Sequence, residues 1–208
     1  MSRVLPAGVL LAALSASIAG AQTHVAVFMA FDEKPSPVSV AEMKAETARI
    51  LRSAGLLLDW RPLSQRLAAE AFGGLAVMRF KGACRADKFQ APFGPLERES
   101  ETEPVTLGWT AVRDGRVLPF SEVECDQIRN TLGPMRLAQK DLMLGRALGR
   151  VVAHELYHIV AETARHGRAG VAKPFHTPDD LRRDGASFEE EDRAAIFRQR
   201  GPVPPLLR

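Results

Sequence analysis

The sequence predicts a single α+β domain, built on a mixed, twisted sheet of about five strands with two long helices and a small helical C-terminal part. Short apolar runs rich in branched and aromatic residues recur as far as Val123, as expected of strands. A long proline-free segment, Arg136–Arg165, then carries apolar residues at helical spacing. Capping residues and glycines divide the remainder into short helices and loops.

The N-terminal segment Met1–Ala21 is typical of a secretory signal peptide. Arg3 supplies a positive charge, Val9–Ile18 forms a short apolar core, and small residues follow at the expected cleavage site. An apolar run this short is not expected to span a bilayer. We therefore predict export to the periplasm or the medium, with one domain over residues 22–208 and a tail without ordered structure at 201–208.

Charge and composition exclude some classes of partner. The formal net charge is only +3 in 208 residues, and the basic residues are scattered along the chain. Surfaces that bind nucleic acids usually carry clusters of basic residues, and this sequence has no such cluster. We expect no nucleic-acid partner and no stable membrane insertion, whereas the sequence leaves the oligomeric state open.

The first half predicts strands around one long helix. His24–Phe31 is a continuous apolar run and predicts a buried strand. Ser39 and Glu42 match a capping box, and helical spacing continues from there to Gly55. The further predictions are strands at Leu56–Arg61 and Leu75–Lys81, a short helix at Leu63–Phe72, and a surface loop at Arg85–Pro104.

Two more β-rich runs, Val105–Val112 and Arg116–Val123, flank Asp114-Gly115. This spacing is a strong hairpin signal. Trp109, in the first of these strands, could line a binding pocket, but tryptophan on a strand is more often buried. We therefore expect Trp109 to belong to the core.

The two cysteines, Cys84 and Cys125, predict a disulfide. An even number of cysteines in an exported chain favours pairing. The bond would close a loop of about 40 residues and stabilise the fold by about 3 to 4 kcal/mol. Free thiols or metal ligation are the alternatives, although two cysteines this far apart in sequence make a poor metal site.

The long helix Arg136–Arg165 carries the candidate catalytic chemistry. His154 and His158 are four residues apart, so both lie on one helical face and can share one ion. Glu155 lies beside them, as in sites where two neutral imidazoles bind zinc and a carboxylate acts as general base. The alternative is that these residues share a helix surface by chance. This interpretation is the weaker one, because the chain has only five histidines in 208 residues.

This His-Glu-x-x-His arrangement resembles that of the zincins, a class of zinc metallopeptidases. The order of strand, helix, four strands and motif helix over Val25–His158 is similar to that of the metzincin branch. The resemblance implies Zn²⁺ as cofactor, a peptide or protein substrate, and Glu155 as general base. It also implies that Val105–Val112 forms the sheet edge beside the cleft, where an extended peptide could pair.

The chain departs from the metzincin pattern after His158. Metzincins place a glycine and a third histidine where this chain has Ala161 and Ala164, and they carry a later methionine, whereas none follows Met143 here. The candidate third ligands are, in our order of preference, His166, His176 and Glu162.

The helix geometry sets this order. Glu162 on an unbroken helix would lie too far along the axis from His154. His166 can ligate only if the helix unwinds before Arg165, and it could otherwise be a solvated histidine at a helix C-terminus. His176 would have to fold back over the site from the loop at Gly167–Thr177.

The C-terminal part predicts two short helices. Thr177-Pro178-Asp179-Asp180 combines a cap, a first-turn proline and acidic residues, which is a helix start. Ser187 and Glu190 match a second capping box for a helix over Phe188–Arg200. Tyr157, about 100° around the long helix from His158, is expected to pack rather than to contact a metal.

The leading hypothesis from the sequence is an exported zinc metallopeptidase in which Glu155 moves the proton. The second hypothesis is an exported zinc-binding or protein-interaction module without catalytic activity, favoured by the missing glycine, the displaced histidine and the absent methionine. Retention of Glu155 favours the enzyme, since a purely structural zinc site has no use for a base.

Overall fold

The computed structural model describes residues 22–65, 73–88, 105–133 and 139–199. The predicted signal peptide, most of the predicted helix Leu63–Phe72, most of the loop Arg85–Pro104 and the C-terminal tail lie outside these residues. The strands are β1 (Thr23–Phe31), β2 (Leu56–Pro62), β3 (Gly74–Lys81), β4 (Gly108–Arg113) and β5 (Arg116–Glu124). The helices are α1 (Pro37–Arg52), α2 (Cys125–Leu132), α3 (Lys140–Val160), α4 (Pro178–Arg182) and α5 (Glu190–Arg198).

The five described strands form one mixed sheet in the order β2-β1-β3-β5-β4, which confirms the predicted strand number and sheet type. All neighbouring strands are parallel except the pair β4–β5. Strand β4 therefore forms one edge of the described sheet. Between the paired residues Val112↔Val117 and Thr110↔Ser121, β5 contains two more residues than β4. Pro119 lies in this bulge and has no N–H to contribute to the ladder.

Helices α1 and α3 pack closely against each other because α3 presents glycines at the contact. A Cβ atom on Gly145 would lie 2.6 Å from the Ser39 carbonyl oxygen, and one on Gly149 would lie 2.8 Å from that of Met43. Such distances leave room only for glycine. The core between this helix pair and the sheet holds Val27, Ile50, Leu51, Met78, Phe80, Leu148 and Leu156. This close packing fixes α3, and with it the candidate site, relative to the sheet.

Helix α1 begins three residues earlier than the Ser39–Glu42 capping box predicts. Ser36 is the N-cap, and its hydroxyl accepts the Ser39 N–H at 3.4 Å. Ser39 itself is buried in the first turn and donates to Oδ1 of Asp141 on α3 at 2.9 Å. Its hydroxyl therefore serves a contact between helices, which the local sequence pattern does not reveal.

The prediction that Trp109 belongs to the core is wrong. Its side chain is 46% exposed, and its indole N–H donates to Oε2 of Glu122 on the neighbouring strand at 3.2 Å. A tryptophan on an edge strand can keep its N–H hydrogen-bonded at the surface, so burial is not required.

Cys84 and Cys125 form the predicted disulfide, with 41 residues of separation and a Cα–Cα distance of 5.0 Å. The bond joins the segment after β3 to the first residue of α2, and both cysteines are buried. Helix α2 itself was not predicted. Its apolar positions, Ile128 and Leu132, make up only one turn of helical spacing.

The two predicted C-terminal caps have different outcomes. Thr177 and Asp180 form a reciprocal capping box at the start of α4, as the sequence indicates. The predicted box of Ser187 and Glu190 is wrong, because Glu189 is the N-cap of α5 and makes no side-chain capping bond. Within the described chain, no helix combines the length and the apolar character needed to cross a membrane.

Candidate metal centre

Helix α3 places three ionisable side chains on its buried side. His154, Glu155 and His158 are all more than nine-tenths buried, whereas the start of the helix is partly exposed. The two histidines follow each other by one helical turn, and their ring centroids are 4.8 Å apart. Burial of three such groups is costly unless each has a specific partner.

Both buried histidines have a fixed tautomer. The carbonyl oxygen of Val171 lies 2.8 Å from Nδ1 of His154, and that of Thr163 lies 2.7 Å from Nδ1 of His158. A carbonyl oxygen only accepts, so each Nδ1 carries the proton and each Nε2 carries a lone pair. The two Nε2 atoms face each other at 3.1 Å. Two lone pairs that point at each other repel unless a cation lies between them, so this arrangement is well suited to a shared cation.

The third histidine reaches this point because α3 ends earlier than predicted. The helix stops at Val160 rather than near Arg165, and Glu162 adopts a left-handed conformation with φ of 46°. The Thr163 N–H donates to the carbonyl oxygen of His158 at 3.1 Å, and the Glu162 N–H to that of Ile159 at 3.3 Å. This pair of bonds is the Schellman pattern, which reverses the chain direction.

After this reversal, His166 returns to the two buried histidines. Its ring centroid lies 5.2 Å from that of His154 and 4.8 Å from that of His158. Ring nitrogens from the three residues all lie within 4.8 Å of one another, and His166 is exposed. These three residues form the histidine cluster, which can hold a metal ion with two buried ligands and one open to solvent.

The two other candidate ligands lie outside the histidine cluster. Glu162 is exposed and contributes its backbone conformation to the turn. The His176 ring packs edge-on against that of His154 with centroids 5.5 Å apart. Its Nε2 is buried without a hydrogen-bond partner among the described residues. His176 therefore lines the same cleft as His154 without belonging to the histidine cluster.

The histidine cluster is uncharged at neutral pH. Burial lowers the pKa of His154 to about 3, although the hydrogen bond with Val171 opposes this shift. Burial also lowers the pKa of His158 and of His166. Neutral imidazole is the form that binds a metal ion, so the cluster needs no deprotonation before binding.

Glu155 is held by the edge strand β4. The Thr110 hydroxyl donates to its Oε2 at 2.6 Å, and a Cβ atom on Gly108 would lie 2.8 Å from its Oε1. Burial raises the pKa of the Glu155 carboxyl to about 7, and the hydrogen bond from Thr110 opposes part of this rise. The sequence alone does not reveal the roles of Thr110 and Gly108, because no local pattern marks a contact such as that of Thr110 with Glu155, 45 positions away.

The loop after the histidine cluster is held by one hydrogen bond to the segment before α5 and by one within the loop. The N–H of Val171 donates to the Ser187 carbonyl oxygen at 3.0 Å. The carbonyl oxygen of the same residue accepts the hydrogen bond from His154. The Gly167 N–H, next to His166, donates to the Ala172 carbonyl oxygen at 2.8 Å. The sequence identified the glycines of this loop but not the carbonyl that orients His154.

Tyr157 packs as predicted. It is buried, and its ring lies 5.6 Å from that of Phe188, between α3 and the segment before α5.

A cleft of about 270 Å³ opens beside Glu155 and the histidine cluster. Strand β4 and the residues before it form one wall, α3 forms the floor, and the loop after α3 forms the other wall. Val105, Leu107, Trp109, Val112, Val151, Pro174 and Phe175 are among the residues that line it.

Zinc fits the donor set of the histidine cluster. Zinc–nitrogen bonds of about 2.0 to 2.1 Å in a tetrahedral site place ligand nitrogens about 3.3 Å apart. The 3.1 Å between Nε2 of His154 and Nε2 of His158 is close to that value. Hydrogen bonds from the opposite ring nitrogens to backbone carbonyls are the usual outer support of histidine ligands.

No protein-family model and no curated protein matches this chain. A solved structure to which the chain is similar is the archaemetzincin from Methanopyrus kandleri. The two share 9% sequence identity with a TM-score of 0.49, over 87% of this chain and 97% of that one. Similarity at this level assigns no activity, so the function has to follow from the side chains of the site itself.

Proposed function

We propose that this chain is a zinc-dependent peptidase in which His154, His158 and His166 hold the ion and Glu155 moves the proton. The observation that carries the proposal is the pair of Nε2 lone pairs that converge at 3.1 Å. A hydrogen bond to a backbone carbonyl fixes each of these rings. The exposed position of His166 leaves one side of the histidine cluster open, as a catalytic rather than a structural zinc site requires.

Glu155 is suited to the proton transfer. A bound zinc ion would polarise the scissile carbonyl and lower the pKa of a water molecule towards 7. Glu155 adjoins His154 in sequence and lines the same cleft, where its carboxylate would accept the proton of the attacking water. It would then donate this proton to the leaving amine nitrogen. Thr110 holds one carboxylate oxygen, so the side chain does not have to be ordered at each turnover.

No described strand pairs with the edge of β4 that faces away from β5, and this edge supports a peptide as substrate. The Glu124 N–H donates to the Leu107 carbonyl oxygen, so the hydrogen-bonded pairs of this ladder are Leu107↔Glu124 and Trp109↔Glu122. The alternation of an antiparallel ladder then directs the N–H and C=O groups of Gly108 and Thr110 away from β5. An extended peptide beside the cleft could pair with these groups as an added strand.

An exported setting accompanies this proposal. The disulfide between Cys84 and Cys125 is compatible with an extracellular or periplasmic protein, since such bonds persist in oxidising compartments.

Elemental analysis of the purified full chain tests the ion and its ligands. We expect about one zinc per chain in the wild type, as one tetrahedral site requires. The variants His154→Ala, His158→Ala and His166→Ala should each lose it. His24→Ala, an exposed histidine on β1, is the matched control and should retain it. A wild type that takes up no zinc when incubated with it would contradict the proposal.

Glu155→Gln separates the enzyme from the binding module. The amide keeps the shape of the side chain but cannot accept the proton, so zinc should remain while peptide hydrolysis is lost. A wild type that binds zinc but cleaves no peptide, with Glu155→Gln behaving identically, would instead support the non-catalytic zinc-binding module.

A further inference from the structure

Exposed apolar side chains concentrate around the cleft. Val105, Trp109, Val112 and Phe175 all line it, and their exposed fractions are 47%, 46%, 49% and 59%. The first three come from β4 and the residues before it, and Phe175 comes from the loop on the other side. Apolar groups therefore border the histidine cluster from two directions. Exposed apolar groups gathered at a concave site indicate a binding surface rather than chance.

Around the proposed zinc site, the cleft is lined almost entirely by uncharged side chains. Glu155 is the only acidic residue among the described residues that line it, and no lysine or arginine is among them. A quarter of the whole chain is charged, so this composition sets the cleft apart from the rest of the surface. Away from Glu155 and the proposed zinc ion, a charged substrate side chain in this cleft would lose hydration without gaining a counter-ion.

We propose that the cleft selects extended peptide segments with a large apolar side chain next to the scissile bond, and that Phe175 is a main determinant of this selection. This inference rests on the proposed peptidase function. Phe175 directly precedes His176, whose ring contacts that of His154, so its side chain belongs to a segment next to the histidine cluster. A substrate strand paired with Gly108 and Thr110 would run between Phe175 and the apolar residues of β4.

A second copy of this chain is the competing occupant, because an open strand edge can also pair with itself. A peptide suits the site better, because a 270 Å³ cleft lies between β4 and the opposite loop. That space admits side chains of an extended segment, whereas β4 of a second copy would bring its own sheet and the neighbouring Glu122.

A peptide series of otherwise identical sequence tests the selection. One position beside the cleaved bond carries Leu, Phe, Ala, Asp or Lys, and kcat/KM is measured for each with the zinc-loaded full chain. We expect Leu and Phe to exceed Ala by about 10- to 100-fold, as apolar pockets discriminate side chains that differ by a few carbons. Asp and Lys should be slower than Ala.

Variants assign this preference to Phe175. Phe175→Lys should lower kcat/KM for Leu and Phe at least tenfold and raise it for Asp, because it puts a counter-ion into the cleft. Phe175→Leu should keep the wild-type order. Phe197→Ala, which changes a half-exposed phenylalanine of α5 outside the cleft, is the matched control and should change nothing.

A binding measurement separates failure of this inference from failure of the proposed function. Isothermal titration of the same peptides into zinc-loaded Glu155→Gln should give the same order of affinities without turnover. Cleavage and binding without apolar preference would overturn the inference and leave the peptidase intact. Apolar-selective binding with no cleavage by the wild type would remove the peptidase and retain the selective cleft. Dimerisation in sedimentation experiments that no peptide displaces would assign β4 to a second copy and overturn the inference.

Discussion

The hydroxyl of Thr110 on edge strand β4 donates a 2.6 Å hydrogen bond to Oε2 of Glu155 on helix α3. Ser121 on β5 lies 2.8 Å from the same hydroxyl, and Thr110 has only one proton to give, so Ser121 donates to it in turn. The strand proposed to bind the substrate backbone therefore also orients the proposed general base. The proposed substrate pairing and the proposed proton transfer therefore depend on the position of the same two residues of β4, Gly108 and Thr110.

Thr110→Val should slow catalysis without releasing zinc. The substitution keeps the shape of the side chain and removes the donor, so the Glu155 carboxylate is no longer held. A hydrogen bond to a charged group contributes about 1.5 to 3 kcal/mol, which corresponds to a decrease in kcat of about 10- to 100-fold. Steady-state kinetics and zinc content measure both effects. Thr110→Ser should restore most of the rate, and a serine variant as slow as the valine variant would contradict a role for the hydroxyl.

The local patterns of the sequence predicted much of this architecture. Helical spacing identified α3, and short apolar runs bounded by turn residues identified the strands, because these signals depend on residues close in the chain. The pairing of Cys84 with Cys125 followed from the even cysteine count together with the predicted export. The predictions failed where a distant contact decided the outcome, as when Ser39 bonded Asp141 on α3 instead of capping its own helix.

The candidate site shows the same division. His154, Glu155 and His158 are four residues apart at most, so one helical turn brings them together. His166 joins them through a turn at Glu162 that holds a non-glycine residue at φ of 46°, which no local rule would favour. The carbonyl oxygen of Val171 and the hydroxyl of Thr110 come from other elements. Only the fold reveals that they orient the side chains of α3.

Glu162→Gly should stabilise the protein. A non-glycine residue in the left-handed region costs about 1 to 2 kcal/mol, and glycine is the preferred residue at this position of a Schellman turn. Part of this gain is offset by the greater freedom of glycine in the unfolded chain. We expect the free energy of unfolding to rise by about 0.5 to 1 kcal/mol in urea denaturation.

A charge control accompanies this change. Glu162→Gln removes the negative charge from the helix C-terminus but keeps the strained backbone, so it should gain less than the glycine variant. Equal gains from both variants would show that charge, and not conformation, governs this turn.

Glu46→Gln should destabilise the protein at neutral pH and much less in acid. Glu46 accepts a 3.0 Å hydrogen bond from the buried Arg150 and also pairs with Arg49. Burial alone would raise the pKa of Glu46, but the hydrogen bonds from the two arginines hold it below its ordinary value of 4.5. Removing one partner of a buried ion pair costs about 3 kcal/mol, because the other charge is left without a counter-ion.

The sign of the pH dependence follows from the lowered pKa. The contribution of Glu46 is fully present above its ordinary pKa of 4.5 and is lost as pH falls through the lower native pKa. Urea denaturation at pH 7, 5 and 3 should therefore show wild type and Glu46→Gln converging in acid. Glu190→Gln, which breaks an exposed pair with Arg193 on α5, is the control and should show no such dependence. A wild-type advantage that persists undiminished at pH 3 would contradict this account.

Loss of the disulfide should lower the melting temperature without removing the histidine cluster. Cys84 and Cys125 close a loop with 41 residues of separation, and a crosslink of this length contributes about 3 to 4 kcal/mol. For a domain of this size, that corresponds to a decrease of roughly 10 °C in Tm for the double variant Cys84→Ala, Cys125→Ala. The bond joins the segment after β3 to α2, whereas the proposed metal ligands lie on α3 and the loop after it, so zinc content at 25 °C should stay unchanged. A reductant should lower the Tm of the wild type and leave that of the double variant where it was. A wild type whose denatured chain reacts with thiol reagents before any reduction would show that the two cysteines are unpaired.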